Sequence, residues 1–153
     1  MDKVTATARY PAEDAEDRRL FEEMTEAARS FIESFDWCGG IREKYIGIAV
    51  PGVVGVYLFR ISPNDPGVDE WIWVIVGDLP PAYITTDEAP NPATALDGYI
   101  GAMEEWVAAA RNGEPTDGLI PVNVSPEPEH AEMLASRLEF LDDEVLAEDV
   151  WKT

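Results

Sequence analysis

The stretch WIWVIVGDLPPAY, from Trp71 to Tyr83, is the most apolar part of a chain with formal net charge -20. Its first half combines tryptophan with β-branched residues, which is typical of a β-strand. Alternate residues of a strand face opposite sides, so Trp71, Trp73 and Ile75 share one face. The opposite face is equally apolar, as are both faces of the preceding segment 53–61 (VVGVYLFRI). A sheet with one solvated face alternates apolar and polar residues, so we expect this sheet to be covered on both sides.

Helical patterns precede and follow this apolar region. Apolar residues three and four apart predict a first helix from about residue 12 to Trp37, ended by the run Cys38-Gly39-Gly40. Asn91-Pro92 and Ser125-Pro126 provide capping side chains and prolines that favour two further helix starts, and Asn112-Gly113 ends the earlier of these two helices.

Between the helical patterns, short turns join segments rich in β-forming residues, which predicts an antiparallel meander. The predicted strands are 44–50, 53–61, a strand that begins at Trp71 and is ended by GDLPP at 77–81, and a short fourth strand over Tyr83–Thr86. The fold class is therefore α+β, with an antiparallel meander sheet of three to four strands flanked by an N-terminal helix and two C-terminal helices. The order is α-β-β-β-(β)-α-α, in a single domain over 1–153 whose residues 1–11 form an N-terminal arm.

Two interpretations of the tryptophans remain open. Three helices cover both faces of a sheet only by splitting between its sides. Periodicity alone indicates burial, which places Trp71 and Trp73 in the core. If all helices pack on one side, the other face is an exposed aromatic patch, and such patches usually mark interfaces with a partner or a second copy.

The charge restricts the class of partner. The chain has 31 acidic and 11 basic residues and a sequence pI of about 4.1. Such a surface repels nucleic acid and anionic membranes and attracts basic proteins, so we expect neither direct nucleic-acid binding nor membrane binding. The absence of a long apolar window and the single cysteine, Cys38, suit a cytoplasmic protein. Solubility or a salt-rich habitat is an alternative origin of the charge.

No residue pattern indicates catalysis or a bound cofactor. His130 is the only histidine, which excludes metal sites built on two histidines. Cys38 is predicted at a helix C-terminus, where the helix dipole disfavours a thiolate. The carboxylate clusters match no calcium-binding loop. We therefore predict no catalytic residues, no metal ligands and no cofactor.

The loop GDLPPAYITTDEAPNP, residues 77–92, is the predicted recognition segment. Its four prolines make it stiff, so little entropy is lost when it docks on a partner. A rigid connector is the alternative interpretation. The predicted partner-binding residues are Trp71, Trp73, Asp78, Tyr83, Asp87 and Glu88.

A small, strongly acidic α+β chain with a helix, a meander and trailing helices resembles bacterial type III secretion chaperones. Its size and charge resemble those of immunity proteins, antitoxins and phage-encoded inhibitors of host defence, although no diagnostic motif allows a functional residue to be transferred. The leading hypothesis is a non-enzymatic binding protein, of the inhibitor, immunity or anti-defence type, that blocks a basic partner such as a nucleic-acid-handling protein.

Three alternatives remain. The first is a secretion-type chaperone that holds a client segment, which homodimerisation would favour. The second is a small enzyme with an unrecognised site, which a buried polar pocket holding Asp78, Tyr83 or His130 together would favour. The third is an acidic surface that reflects habitat alone.

Overall fold

The computed structural model describes residues 4–120, 122 and 125–146. The strands are β1 (Thr5–Ala6), β2 (Cys38–Val50), β3 (Val54–Pro63), β4 (Trp71–Gly77) and β5 (Ala82–Thr85). The helices are α1 (Ala15–Glu33), α2 (Pro92–Asn112) and α3 (Pro128–Phe140), with a 3₁₀ turn at Thr7–Arg9 and a π-helical turn at Leu141–Leu146. All five strands pair antiparallel in the order β1-β2-β3-β4-β5. The predicted α+β meander is confirmed.

Local capping explains where the helices begin and end. The Asp14 side chain accepts a hydrogen bond from the Asp17 amide at the start of α1. Asn91 does the same for the Thr94 amide at the start of α2, where Pro92 occupies the first turn. Gly113 ends α2 in the left-handed conformation, with φ 67°. The predicted start and end of α2 are therefore confirmed.

The end of the first helix was predicted wrongly. Helix α1 ends at Glu33, and the run Cys38-Gly39-Gly40 opens β2 and is not a helix cap. Cys38 pairs opposite Pro63, and a Cβ on Gly39 would lie 2.7 Å from the Ser62 carbonyl oxygen. The glycine therefore permits a close approach of two strands. Cys38 is a half-buried strand residue, so the argument from a helix dipole does not apply to it.

Two other boundaries differ from the prediction. Thr5 and Ala6 pair with Ile46 and Tyr45, so part of the predicted N-terminal arm forms a fifth strand. Helix α3 begins at Pro128, three residues after Ser125. The sequence also allows a short edge strand within the loop at about 113–124, a segment that falls partly on residues outside those described.

The helices split between the two faces of the sheet. One core lies between the sheet and α2 with α3, and its strand residues include Val54, Val56, Leu58, Trp73 and Ile75. The other core lies under α1, and its strand residues include Tyr57, Phe59, Ile72, Val74 and Val76. The chain's own helices therefore cover both apolar faces, as the pattern of β3 and β4 requires.

Candidate binding groove along residues 78–84

The two tryptophans of β4 differ in their exposure to solvent. Trp73 is 0% exposed, and its indole Nε1 donates a hydrogen bond to the Ala89 carbonyl oxygen at 2.8 Å. Trp73 has no surface to offer a partner, which corrects its place among the candidate binding residues. Trp71 is half-buried at the margin of the same face, where the Arg60 guanidinium lies 5.6 Å from its ring centroid.

Three of the other candidates line surface clefts. Asp78, Tyr83 and Glu88 each contribute to a cleft beside the segment that joins β4 to α2. Asp87 is exposed in the turn after β5. The predicted recognition segment therefore runs beside surface clefts, and its role in binding stays a prediction.

Four clefts follow one another along residues 78–84, and each shares lining residues with the next. The first (380 Å³) lies between Val53, Leu79 and Phe140, and the second (180 Å³) between Pro80, Trp106 and Met133. The third (660 Å³) is lined by Phe35, Tyr83 and Ile120, and the fourth (210 Å³) by Ile84, Glu88 and Gly98. Residues shared between neighbouring clefts are Asp78, Leu79 and Arg137, then Val122, then Tyr83 and Ile120. We call this continuous surface the 78–84 groove.

A cluster of aromatic rings forms one wall of the third cleft. The Tyr83 ring lies 5.2 Å from both the Phe35 and the Trp37 rings, in edge-to-face geometry. Phe35 also stacks on Trp37 at 4.9 Å, and Phe31 meets Phe35 edge-on at 5.2 Å. Tyr83 is 40% exposed, so the cluster presents aromatic area to solvent. Aromatic residues of this kind are the usual anchors of protein interfaces.

The floor of the groove is held rigidly. The Tyr99 hydroxyl, on α2, donates to the Pro80 carbonyl oxygen at 2.6 Å, and burial raises the pKa of the Tyr99 phenol. The Asp78 amide donates to the Val53 carbonyl oxygen at 3.0 Å. Pro80 and Pro81 further restrict the backbone. The groove is therefore formed before any partner arrives.

Charged groups lie at defined points along the groove. Arg137 separates the first two clefts, and its Nε donates to the Asp78 carboxylate at 3.2 Å. Glu88 lines the fourth cleft. Exposed Glu33 and Asp36 flank Phe35 in sequence. The apolar clefts thus open onto a mainly acidic surface.

Two of the three residues whose common buried pocket would favour an enzyme share a cleft, but that cleft lies at the surface. Asp78 and His130 line the second cleft, whereas Tyr83 lines the third and fourth. The Asp78 side chain is 70% exposed, and His130 Nδ1 lies 2.9 Å from the Ser125 carbonyl oxygen. Within residues 4–120, 122 and 125–146, no three histidine, cysteine or acidic side chains come together as metal ligands. The absence of catalysis stays a prediction.

Several residues that line the groove were not predicted from the sequence. Their helical spacing in the sequence places Phe31 and Phe35 on the buried stripe of the first helix, but α1 ends at Glu33 and Phe35 lies against Tyr83 of the edge strand β5. Met133 and Phe140 on α3 are 54% and 47% exposed. Their spacing of seven residues, two helical turns, is the signal that would have placed them on one exposed helix face.

Fold and groove together define an acidic α+β domain with an aromatic surface groove. Comparisons with protein-family models, curated proteins and solved structures give no match. None of the helices in the described part of the chain is long and apolar enough to cross a bilayer.

Proposed function

We propose that this protein is a non-enzymatic binding protein of the cytoplasm that blocks a basic partner protein, as inhibitors and immunity proteins do. The observation that supports the proposal is the continuous apolar 78–84 groove on a molecule of net charge -20. Apolar clefts and aromatic anchors supply affinity, and carboxylates steer a basic partner toward them. A nucleic-acid-handling protein presents a basic surface of the required kind.

Charge and apolar contact make separable contributions to such binding. Steering between exposed charges falls off over about 8 Å at physiological salt, so a higher salt concentration slows association. Contacts inside the groove are screened much less and persist. A partner held by the groove should therefore remain bound when salt is raised, whereas a partner held by charge alone should be released.

Tyr83→Ser removes the exposed ring from the third and fourth clefts. Tyr45→Ser is the matched control, because Tyr45 is a half-buried tyrosine on β2, three strands away in the sheet. The tagged wild-type protein and both variants are used to capture proteins from the source cells, with washes at low and at moderately high salt. Circular dichroism checks that each variant is folded.

We expect one basic protein to survive the high-salt wash on the wild type and on Tyr45→Ser, and to be lost from Tyr83→Ser. The activity of that protein, measured after purification, should fall when this protein is added. Retention by Tyr83→Ser equal to that of the wild type would place the contact elsewhere. Capture of no basic protein would overturn the proposed function.

A secretion-type chaperone is the second candidate, because a groove that follows an edge segment can also hold a client chain. Size-exclusion chromatography with light scattering separates the two. A stable homodimer whose client is exported would favour the chaperone, and a monomer that inhibits its partner would favour the inhibitor.

A further inference from the structure

We propose that the 78–84 groove takes an extended, basic segment of the partner protein, whose apolar side chains enter successive clefts. This inference rests on the proposed function and specifies which part of the partner binds. It follows from the size of the clefts, their order, the rigidity of the groove and the position of its charges.

Two of the four clefts are too small to accept a helix or a single large ligand. The second and fourth clefts measure 180 and 210 Å³. Pockets for drug-sized ligands are typically about 300–1,000 Å³. A helix with its side chains is about 10–12 Å across, whereas a cleft of this size accommodates one side chain. The second and fourth clefts are therefore single side-chain subsites, and they alternate along the groove with the larger first and third clefts.

The order of the clefts matches an extended chain. They follow residues 78–84 in sequence, a segment that spans at most about 20 Å. An extended ligand directs every second side chain to the same side, about 6.5–7 Å apart. A segment of about seven residues can thus follow the groove from the first cleft to the fourth.

A preformed groove favours such a ligand. Pro80 and Pro81, with the Tyr99 hydrogen bond to Pro80, hold the segment before binding. The protein therefore loses little conformational entropy when the ligand binds, and most of the ordering cost falls on the ligand.

The charges along the groove define the ligand's polar side chains. Asp78 lies where the first and second clefts meet, and Glu88 lies at the fourth. Lysine or arginine side chains between the apolar ones leave the ligand on its outer side, and their long stems let the charged ends fold back to these exposed carboxylates. Arg137 already pairs with Asp78 and so competes with a ligand cation. Arg137→Gln should strengthen binding, and Asp78→Asn should weaken it.

The test uses three synthetic peptides of about eight residues, matching the length of the groove. One alternates leucine and lysine, as an extended ligand requires. The second has the same composition with leucines at helical spacing, and the third replaces leucine by serine. Binding to the full chain is followed by NMR titration at moderately high salt, which also locates the contact.

We expect the alternating peptide to bind at least about tenfold more tightly than either control and to shift the amide signals of residues 78–84. Asp78→Asn and Tyr83→Ser should each weaken binding about tenfold, and Arg137→Gln should strengthen it a few-fold. Glu105→Gln, which removes one exposed charge on α2, and Tyr45→Ser should bind as the wild type does.

Equal or tighter binding of the helically spaced peptide, equal binding of the serine peptide, or shifts outside the groove would overturn this inference. The proposed function would survive that result if Tyr83→Ser still lost the captured partner. Retention of the partner by Tyr83→Ser would place the contact outside the groove and overturn this inference, whereas capture of no basic protein would overturn the proposed function itself.

Discussion

At the scale of single residues, polar atoms of buried aromatic side chains fix the layers of the fold. Trp73 is bonded to Ala89, and the Tyr57 hydroxyl shares a hydrogen bond of 2.7 Å with Thr25 on α1. Tyr99 reaches Pro80 in the same way. Buried polar groups are costly when unpaired, so each of these bonds selects one arrangement of helix or loop over the sheet.

The two tryptophans of β4 should differ sharply in their contribution to stability. Trp73→Phe leaves a cavity and deprives the Ala89 carbonyl, on a residue 1% exposed, of its donor. We expect a loss of about 2–3 kcal/mol in the free energy of unfolding. Trp71→Phe, at the half-buried margin, should lose less than about 1 kcal/mol. Urea unfolding of both variants measures this difference, and equal losses would contradict the assignment of Trp73 to the core.

Tyrosine ionisation should weaken the fold at alkaline pH. Burial raises the pKa of the Tyr57 phenol well above its ordinary value of about 10. Burial, together with the hydrogen bond to Asp17, raises the pKa of Tyr10 to about 12. Above about pH 10 the unfolded chain loses these protons while the folded chain keeps them, so stability falls as pH rises.

Tyr57→Phe removes one such proton. Between about pH 10 and 12, its free energy of unfolding should fall less steeply than that of the wild type, by about 1.4 kcal/mol per pH unit. Its stability at neutral pH should be lower by about 1 kcal/mol, because the bond with Thr25 is lost. Urea unfolding over this pH range measures both quantities. An unchanged slope would mean that Tyr57 ionises in the folded protein as readily as in the unfolded chain.

At the scale of elements, the end of β4 controls both the sheet and the groove. Gly77 has φ +148°, and a Cβ there would lie 2.1 Å from the Val53 carbonyl oxygen. The same oxygen accepts the Asp78 amide. The glycine therefore lets β4 end against the β2–β3 turn. This contact places Asp78, the first residue of the groove, beside Val53.

Gly77→Ala should consequently destabilise the protein by about 2–3 kcal/mol, because the strand end and the turn must move apart. Gly101→Ala is the matched control. Gly101 lies within α2, and a Cβ there meets nothing within 4 Å. That variant should gain about 0.5–1 kcal/mol from helix propensity. Thermal unfolding gives both values, and a neutral Gly77→Ala would show that the turn accommodates a side chain.

At the scale of the whole molecule, negative charge is spread over a chain whose core is apolar on both sides of the sheet. Arginines on α1, β2, β3, α2 and α3 form ion pairs with nearby carboxylates. The acidic residues still outnumber the basic ones by 31 to 11. The acidic residues therefore exceed the basic partners available to them, and self-repulsion opposes folding.

Salt should stabilise this protein. Screening weakens the surface ion pairs, which contribute little, but it relieves the larger repulsion among unpaired acids. We expect the melting temperature to rise from dilute to molar KCl. A modest rise that levels off fits an ordinary acidic protein, and a steep rise up to molar KCl would favour a salt-rich habitat. A fall in melting temperature would mean that the ion pairs outweigh the repulsion.

Much of the fold could be predicted from short-range patterns. Asn91-Pro92 and Gly113 marked α2, because capping depends on residues a few positions apart. The alternation in β4 assigned its side chains to the correct faces. The run Cys38-Gly39-Gly40 was wrongly predicted to end the first helix, because its strand conformation depends on pairing with β3, far along the chain. Strand β1 was not predicted, because it also depends on pairing with a distant strand and its two residues are too few to show a periodic pattern.

The candidate groove was only half visible in the sequence. Segment 77–92 carried prolines, acids and a tyrosine, which identified its floor. Its walls come from Phe35 after α1, from Ile120 and from α3, residues that meet only in the folded chain. Each of them looked like ordinary core or loop when taken alone.

The sequence by itself determined the order of the main helices and strands, which side chains of the central strands share a face and how strongly the chain is charged. These properties depend on composition and on neighbours a few residues away. Only the tertiary structure decided that the helices split between the two faces of the sheet, so that Trp73 is fully buried and Trp71 lies at the margin. It also decided that four clefts join along residues 78–84. Those outcomes depend on contacts between distant segments, whose packing no local pattern specifies.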